Sequence, residues 1–117
     1  FGYIKLAQKL SNDKTKYSGS WNFGPEQDDI KTVGEVINIA QQVGMEFSYS
    51  AGEVKKYHEA NFLSLDISKS KNILSWNPKW SSEKAIKKTI AWYLNFYKQD
   101  NAQQLMENDI KSYLNNK

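Results

Sequence analysis

The sequence predicts an α/β or α+β fold in which helices alternate with three short strands. Apolar residues recur at helical spacing in several segments, and short aromatic or alternating stretches separate those segments. Gly and Pro residues mark the boundaries between the two kinds of segment. The chain has 117 residues and no low-complexity linker, so we expect one domain over 1–117. Three short strands would make a thin sheet, completed by neighbouring elements of a longer protein.

The N-terminal segment predicts a first helix that ends in a polar turn at 12–14. No Ser, Thr, Asp or Asn precedes this helix to accept hydrogen bonds from its first N–H groups. We therefore expect the sequence to begin inside a helix of a longer protein. The apolar stripe one turn apart consists of Phe1, Ile4, Ala7 and Leu10.

Three stretches predict strands. The first is aromatic, covers 19–25 and ends in a Gly-Pro turn, whereas 46–50 and 62–65 alternate weakly between apolar and polar residues. The stretch 51–57 is interpreted as a loop. Asn22 in the first strand is expected to bond local backbone rather than a ligand.

The second helix has the clearest start signal. Thr32 and Glu35 have the spacing of a capping box, in which the hydroxyl and the carboxylate each accept a hydrogen bond from a backbone N–H. Gly44 is placed to end this helix. Its expected apolar face consists of Val33, Val36, Ile37, Ala40 and Val43.

Three more helices are predicted towards the C-terminus. Ser68 is expected to cap a short helix, and Pro78 is expected to prevent that helix from continuing. Ser81 or Ser82 is expected to begin a long one, and Asn101 the last. Trp76 and Trp80 should pack on either side of the proline. The expected inward residues of the last two helices are Ile86, Thr89, Ile90, Tyr93, Phe96, Tyr97, Leu105, Met106, Ile110, Tyr113 and Leu114.

The amino-acid composition argues against several classes of function. All 16 cations are lysines, scattered among 13 acids, and Arg, whose planar fork recognises guanine and phosphate, is absent. Nucleic acid is therefore not an expected partner. The lack of Cys excludes a thiolate nucleophile and Cys-ligated metals. No apolar run reaches membrane-spanning length, and a cytoplasmic location without membrane partners is expected.

The adjacent residues His58 and Glu59 are candidates for binding a ligand. The sequence contains neither a set of residues typical of a catalytic site nor a Gly-rich phosphate-binding loop. Glu59 could accept two hydrogen bonds from the vicinal hydroxyls of a ribose. His58 could donate to a diphosphate oxygen, with Lys55 and Lys56 adding positive charge. The alternative is an exposed His beside an exposed Glu, with no ligand.

Several short motifs follow one another along the chain. They are Trp-Asn-Phe-Gly-Pro at 21–25, His-Glu-Ala at 58–60, Leu-Asp at 65–66, Ser-Lys at 68–69, Trp-Asn-Pro at 76–78 and Trp-Tyr at 92–93. Taken in this order, they resemble the C-terminal part of extended short-chain dehydrogenases/reductases that act on nucleotide-linked sugars, and His-Glu-Ala resembles the CDP-glucose 4,6-dehydratase branch. Ser75 departs from the family pattern, which usually has Gly there, and Lys56-Tyr57 stands where Gln-Pro is usual.

The resemblance implies a substrate-binding C-terminal domain of a lyase whose Rossmann domain, outside this chain, binds NAD and carries the catalytic residues. Such an enzyme removes a hydride from C4 of the hexose, eliminates water across C5 and C6, and returns the hydride to C6. The product would serve deoxysugar synthesis for surface polysaccharide such as lipopolysaccharide O-antigen. His58 and Glu59 would contact the diphosphate and ribose of the nucleotide sugar. This chain alone would be inactive, and the longer protein is expected to be a homodimer.

Three alternatives remain open from the sequence: another sugar-nucleotide epimerase, reductase or dehydratase, a non-catalytic binding module, and a nucleic-acid-binding protein. The positive charge and the aromatic C-terminal helices favour the binding module. The absence of Arg argues against nucleic acid.

Overall fold

A computed structural model describes residues 1–46 and 64–115, and the regular structure in these ranges is helical. None of the described residues lies in a β-strand, so the predicted α/β or α+β class is wrong. The elements are α1 Gly2–Asn12, α2 Lys14–Tyr17, a 3₁₀ turn Gln27–Asp29, α3 Val33–Gln42, α4 Ser68–Asn72, α5 Ser82–Tyr97 and α6 Ala102–Leu114.

The predicted strand 19–25 is an irregular segment whose backbone is held by side chains. The carbonyl of Ser20 accepts a hydrogen bond from Lys69 Nζ at 2.8 Å, and the carbonyl of Asn22 accepts one from the Ser70 hydroxyl. A strand needs a second strand to pair its backbone groups, whereas here helix α4 supplies the donors. The aromatic residues that suggested a strand instead pack on a helical core.

The other two predicted strands lie mostly outside the described residues. Of 46–50 the structure describes Glu46, and of 62–65 it describes Ser64 and Leu65. None of these three residues lies in a strand.

The described residues form two compact units. Unit 1 combines Phe1–Ile30 with Ser64–Pro78, and the described part of unit 2 covers 31–46 and 79–115. Within unit 2, α3 packs against α5, and α5 packs against α6. The expectation of one domain over 1–117 stays a prediction.

The core of unit 1 is aromatic. Trp76 is 9% exposed, which confirms its predicted packing role, and Phe23 meets it edge-on with ring centroids 5.0 Å apart. Gly2 is buried beneath Phe23, and a Cβ at this position would overlap the Phe23 ring. The glycine therefore lets α1 approach the aromatic core closely. The buried residues are Tyr17, Ile67, Leu74 and Trp76, with Leu6, Leu10, Trp21 and Phe23 packed against them.

The predicted apolar face of α1 is wrong in part. Phe1 and Ile4 are 57% and 70% exposed, whereas Leu6 and Leu10 contact the core. Successive steps of three residues drift by about 60° around an α-helix, so the predicted stripe does not stay on one face. The predicted polar turn at 12–14 is the junction between α1 and α2, where Asp13, the N-cap of α2, accepts a hydrogen bond from the Lys16 N–H.

The predicted cap of α4 is also wrong. The helix begins at Ser68 itself, and its N-cap residue Ile67 provides no side-chain hydrogen bond. Asp66 Oδ1 accepts a hydrogen bond from the Ser68 N–H at 2.8 Å instead. The polar side chain at the start of α4 is thus that of Asp66, two residues before the predicted cap Ser68.

Helix α3 has the predicted start and end. The Thr32 hydroxyl accepts from the Glu35 N–H, the Glu35 carboxylate accepts from the Thr32 N–H, and the capping box is complete. Gly44 follows at φ +97°, and its N–H donates to the Gln41 carbonyl. The face is shifted from the prediction, because Ile39 and Ala40 are buried whereas Val33 and Val36 are exposed.

Helices α5 and α6 begin as predicted. Ser81, rather than Ser82, accepts a hydrogen bond from the Lys84 N–H, and Asn101 accepts one from the Gln104 N–H. The predicted packing role of Trp80 is confirmed, because its ring packs against Tyr113 with ring centroids 5.1 Å apart. No helix in 1–46 or 64–115 combines the length and the apolar character needed to cross a membrane.

Both helices carry more apolar surface than unit 2 covers. Ile86, Ile90, Leu105 and Tyr113 are half-buried, as their predicted inward positions require. The other predicted inward positions are exposed: Thr89, Tyr93, Phe96 and Tyr97 on α5, and Met106, Ile110 and Leu114 on α6.

Replacing Ser75 by Gly should raise the free energy of unfolding by about 0.5–1 kcal/mol, because relief of left-handed strain outweighs the greater freedom of Gly in the unfolded chain. Ser75 has φ +50°, which allows the next N–H, of Trp76, to bond the Ser70 carbonyl at 3.0 Å. Urea denaturation followed by circular dichroism measures the change. Ser75→Ala is the matched control, since it keeps the Cβ and the strain. Equal stability of the two variants would contradict the prediction.

Replacing Thr32 by Ala should lower the free energy of unfolding by about 0.5–2 kcal/mol, because α3 loses its N-cap. Thr15→Ala, at an exposed position of α2, is the control and should have little effect.

The same capping box predicts a pH dependence. Hydrogen bonds from the backbone and then the hydroxyl of Thr32 lower the pKa of Glu35. A lowered pKa in the folded state means that the stabilisation is complete above the ordinary Glu range and is lost as the pH falls through the lowered pKa. The stability difference between the native chain and Glu35→Gln should therefore shrink in acid. A constant difference would count against this origin.

Candidate functional site

The residues predicted to bind substrate, His58 and Glu59, lie outside the described residues, as do Lys55 and Lys56. Their predicted role stays a prediction. The described chain resumes at Ser64, a few residues after Glu59, and runs directly into the packed part of unit 1.

Most of the described motifs gather in unit 1. Phe23 from the first motif contacts Trp76 from the Trp-Asn-Pro motif. Lys69 Nζ lies 4.3 Å from the centroid of the Trp21 ring while donating to the Ser20 carbonyl. Segments that are far apart in sequence thus form one cluster, which we call the motif cluster: 20–23, 66–70 and 76.

Asn22 joins the two halves of the motif cluster. Its Nδ2 donates to the carbonyl of Asp66 at 3.1 Å. The expectation that Asn22 bonds local backbone is wrong, because the acceptor is a backbone carbonyl 44 residues away. The sequence could not show this, because the contact exists only once 64–67 folds back on 20–23.

Asp66 fixes the turn into α4. Its carboxylate accepts a hydrogen bond from the Ser68 N–H, and hydrogen bonds from the side chain and then the backbone of Ser68 lower the pKa of Asp66. The ionised form is therefore the one that holds 66–68 in place. This turn fixes the described end of the chain that leads back to Glu59.

A further link ties the 3₁₀ turn region to α4. Lys71 Nζ donates to both carboxylate oxygens of Glu26, at 3.0 and 2.8 Å. Both side chains are more than a third exposed, so this ion pair contributes only modestly to stability.

The motif cluster is therefore a scaffold. Its side-chain donors and acceptors are mostly engaged with backbone: Trp21 Nε1, for example, donates to the Tyr17 carbonyl at 2.8 Å. Within 1–46 and 64–115, His, Cys, Asp and Glu side chains do not gather in threes that could hold a metal ion. The described hydrogen bonds of the motif cluster therefore serve the folding of unit 1.

Sequence reasoning did not predict the clefts of unit 2. One, of about 490 Å³, lies along α5 and is lined by Lys84, Lys87 and Lys88. Lys87 pairs with Glu83 at 2.6 Å and Lys88 with Asp109 at 3.1 Å, so acids offset much of its positive charge. The spacing of the lysines was visible in the sequence, but the approach of Asp109 from α6 was not.

A second cleft, between α5 and α6, has a volume of about 260 Å³. Its lining residues are Trp80, Lys88, Thr89, Trp92, Tyr93 and Asp109. The aromatic residues were predicted only as packing, and the structure shows that they also border this opening.

No family model matches the chain. Over 114 residues the chain is 30% identical to the CDP-glucose 4,6-dehydratase of Salmonella typhimurium. The chain is distantly related to this enzyme. The aligned part covers 97% of the chain, whereas the chain spans only 32% of the length of the dehydratase. The resemblance inferred from the motifs is thus confirmed at the level of a distant relation.

Replacing Asn22 by Ala should lower the free energy of unfolding by about 0.5–1.5 kcal/mol, because the Asp66 carbonyl loses its side-chain donor. Urea denaturation of the chain measures the effect. Asn12→Ala, exposed at the end of α1, is the control. Unchanged stability of the Asn22 variant would contradict its scaffold role.

Proposed function

We propose that this chain is the nucleotide-sugar-binding C-terminal part of an NAD-dependent CDP-glucose 4,6-dehydratase. One observation carries the proposal: the 30% identity extends over nearly the whole chain but over about a third of the dehydratase. The order of the motifs, from Trp-Asn-Phe-Gly-Pro to Trp-Asn-Pro, agrees with it.

His58 and Glu59 are the residues proposed to hold the nucleotide. A carboxylate can accept hydrogen bonds from both ribose hydroxyls, and an imidazole N–H can donate to a diphosphate oxygen. His58 and Glu59 lie outside the described residues, and the support for their role is the His-Glu-Ala motif at 58–60. Such binding assists the reaction by positioning the hexose against the cofactor.

The residues of this chain do not fit NAD. A dinucleotide pyrophosphate is typically held by a Gly-rich turn at a helix N-terminus, and the sequence has no Gly-x-Gly-x-x-Gly. The proposal therefore assigns the cofactor and the catalytic groups to the remainder of a longer enzyme. The chain by itself should yield no 4-keto sugar when mixed with CDP-glucose and NAD, and detection of that product would contradict the division of labour.

In the longer enzyme, Glu59→Ala should raise the KM for CDP-glucose roughly tenfold or more while kcat changes little, because a charged hydrogen-bonding group is lost from ground-state binding. Steady-state kinetics measure both constants. Glu53→Ala, a nearby acid without a proposed role, is the control. A fall in kcat at unchanged KM would argue against a binding role for Glu59.

The same assay separates the proposal from its nearest rival. Turnover of CDP-glucose in preference to UDP-, GDP- and dTDP-linked hexoses supports the proposed substrate. Preference for one of the others would assign the chain to a different sugar-nucleotide enzyme.

A further inference from the structure

The cleft between α5 and α6 has a chemically mixed lining. Trp80, Trp92 and Tyr93 contribute aromatic surface, whereas Lys88, Thr89 and Asp109 contribute polar groups. Ligand sites commonly combine an apolar lining with a few placed polar groups in this way. All six residues belong to unit 2, and they are distinct from His58 and Glu59.

The charges in the cleft cancel. Lys88 Nζ on α5 lies 3.1 Å from Asp109 Oδ1 on α6, and their side chains are 38% and 31% exposed. A bound anion would meet the carboxylate, and a bound cation would meet the ammonium group. The pairing therefore favours a neutral ligand that can use a donor and an acceptor side by side.

The aromatic surface selects further among neutral ligands. The rings of Trp92 and Phe96 are stacked, with their centroids 5.1 Å apart and an interplanar angle of 13°. Phe96 therefore packs against one face of the Trp92 indole. The face of an aromatic ring is electronegative and attracts the C–H groups of a sugar ring.

We propose that the α5–α6 cleft binds a neutral hexopyranose, with the sugar ring on the aromatic lining and its vicinal hydroxyls bonded to Lys88 and Asp109. A volume of about 260 Å³ limits the ligand to about one sugar ring. The ligand needs no nucleotide, so this site is independent of the function proposed above.

The four tryptophans provide the test, because Trp80 and Trp92 line the cleft whereas Trp21 and Trp76 belong to the core of unit 1. The ¹⁵N-labelled chain is titrated with methyl β-D-glucopyranoside, and the indole N–H signals are assigned with Trp→Phe variants. Saturable shifts of the Trp80 and Trp92 signals, with Trp21 and Trp76 unmoved, are expected. No shifts, equal shifts of all four signals, or the same shifts with glycerol would overturn the proposal.

A pair of variants tests the polar half of the site. Asp109→Ala should weaken binding of the glucoside roughly tenfold or more, because a charged hydrogen-bond acceptor is lost. Asp100→Ala, beyond the end of α5, is the control and should bind like the native chain. If Asp109→Ala does not fold by circular dichroism, Lys88→Met takes its place with the same expectation. Unchanged binding by the folded variant would overturn the proposal, and unchanged binding by Glu59→Ala would separate this site from the nucleotide-binding residues.

Discussion

The fold of unit 1 depends on how the irregular segment 19–25 satisfies its backbone without a neighbouring strand. Backbone carbonyl groups that have no strand partner need other hydrogen-bond donors, and Lys69 and Ser70 of α4 donate to the carbonyls of Ser20 and Asn22. These contacts place Phe23 against Trp76 and leave room for α1 only because Gly2 has no side chain. A helix thus takes the place that a sheet would have filled.

The residues of the motif cluster stabilise the fold of unit 1. The described motif residues that resemble the sugar-nucleotide dehydratases are mainly engaged with one another and with backbone, so their conspicuous pattern reflects packing. His58 and Glu59, for which a binding role is proposed, lie outside the described residues.

In unit 2, the same face of α5 both packs against α6 and lines a cleft. On α5, Trp92 and Tyr93 border a cleft whose polar side is completed by Asp109 of α6. The ion pair between Lys88 and Asp109 joins the two helices while remaining partly accessible. Its accessibility limits its contribution to stability and leaves both groups within reach of a ligand.

Local signals in the sequence determined the ends of the helices well. The capping box of Thr32 and Glu35, the turn at Gly44 and the caps Ser81 and Asn101 depend on groups a few residues apart, so spacing alone fixes them. The overall resemblance was also readable, because motif order survives at 30% identity. The tertiary structure alone decided the fold class, the buried faces and the partner of Asn22. An aromatic run predicts burial but not whether a strand or a helix covers it, and the hydrogen bond from Asn22 to Asp66 spans 44 residues that no local pattern connects.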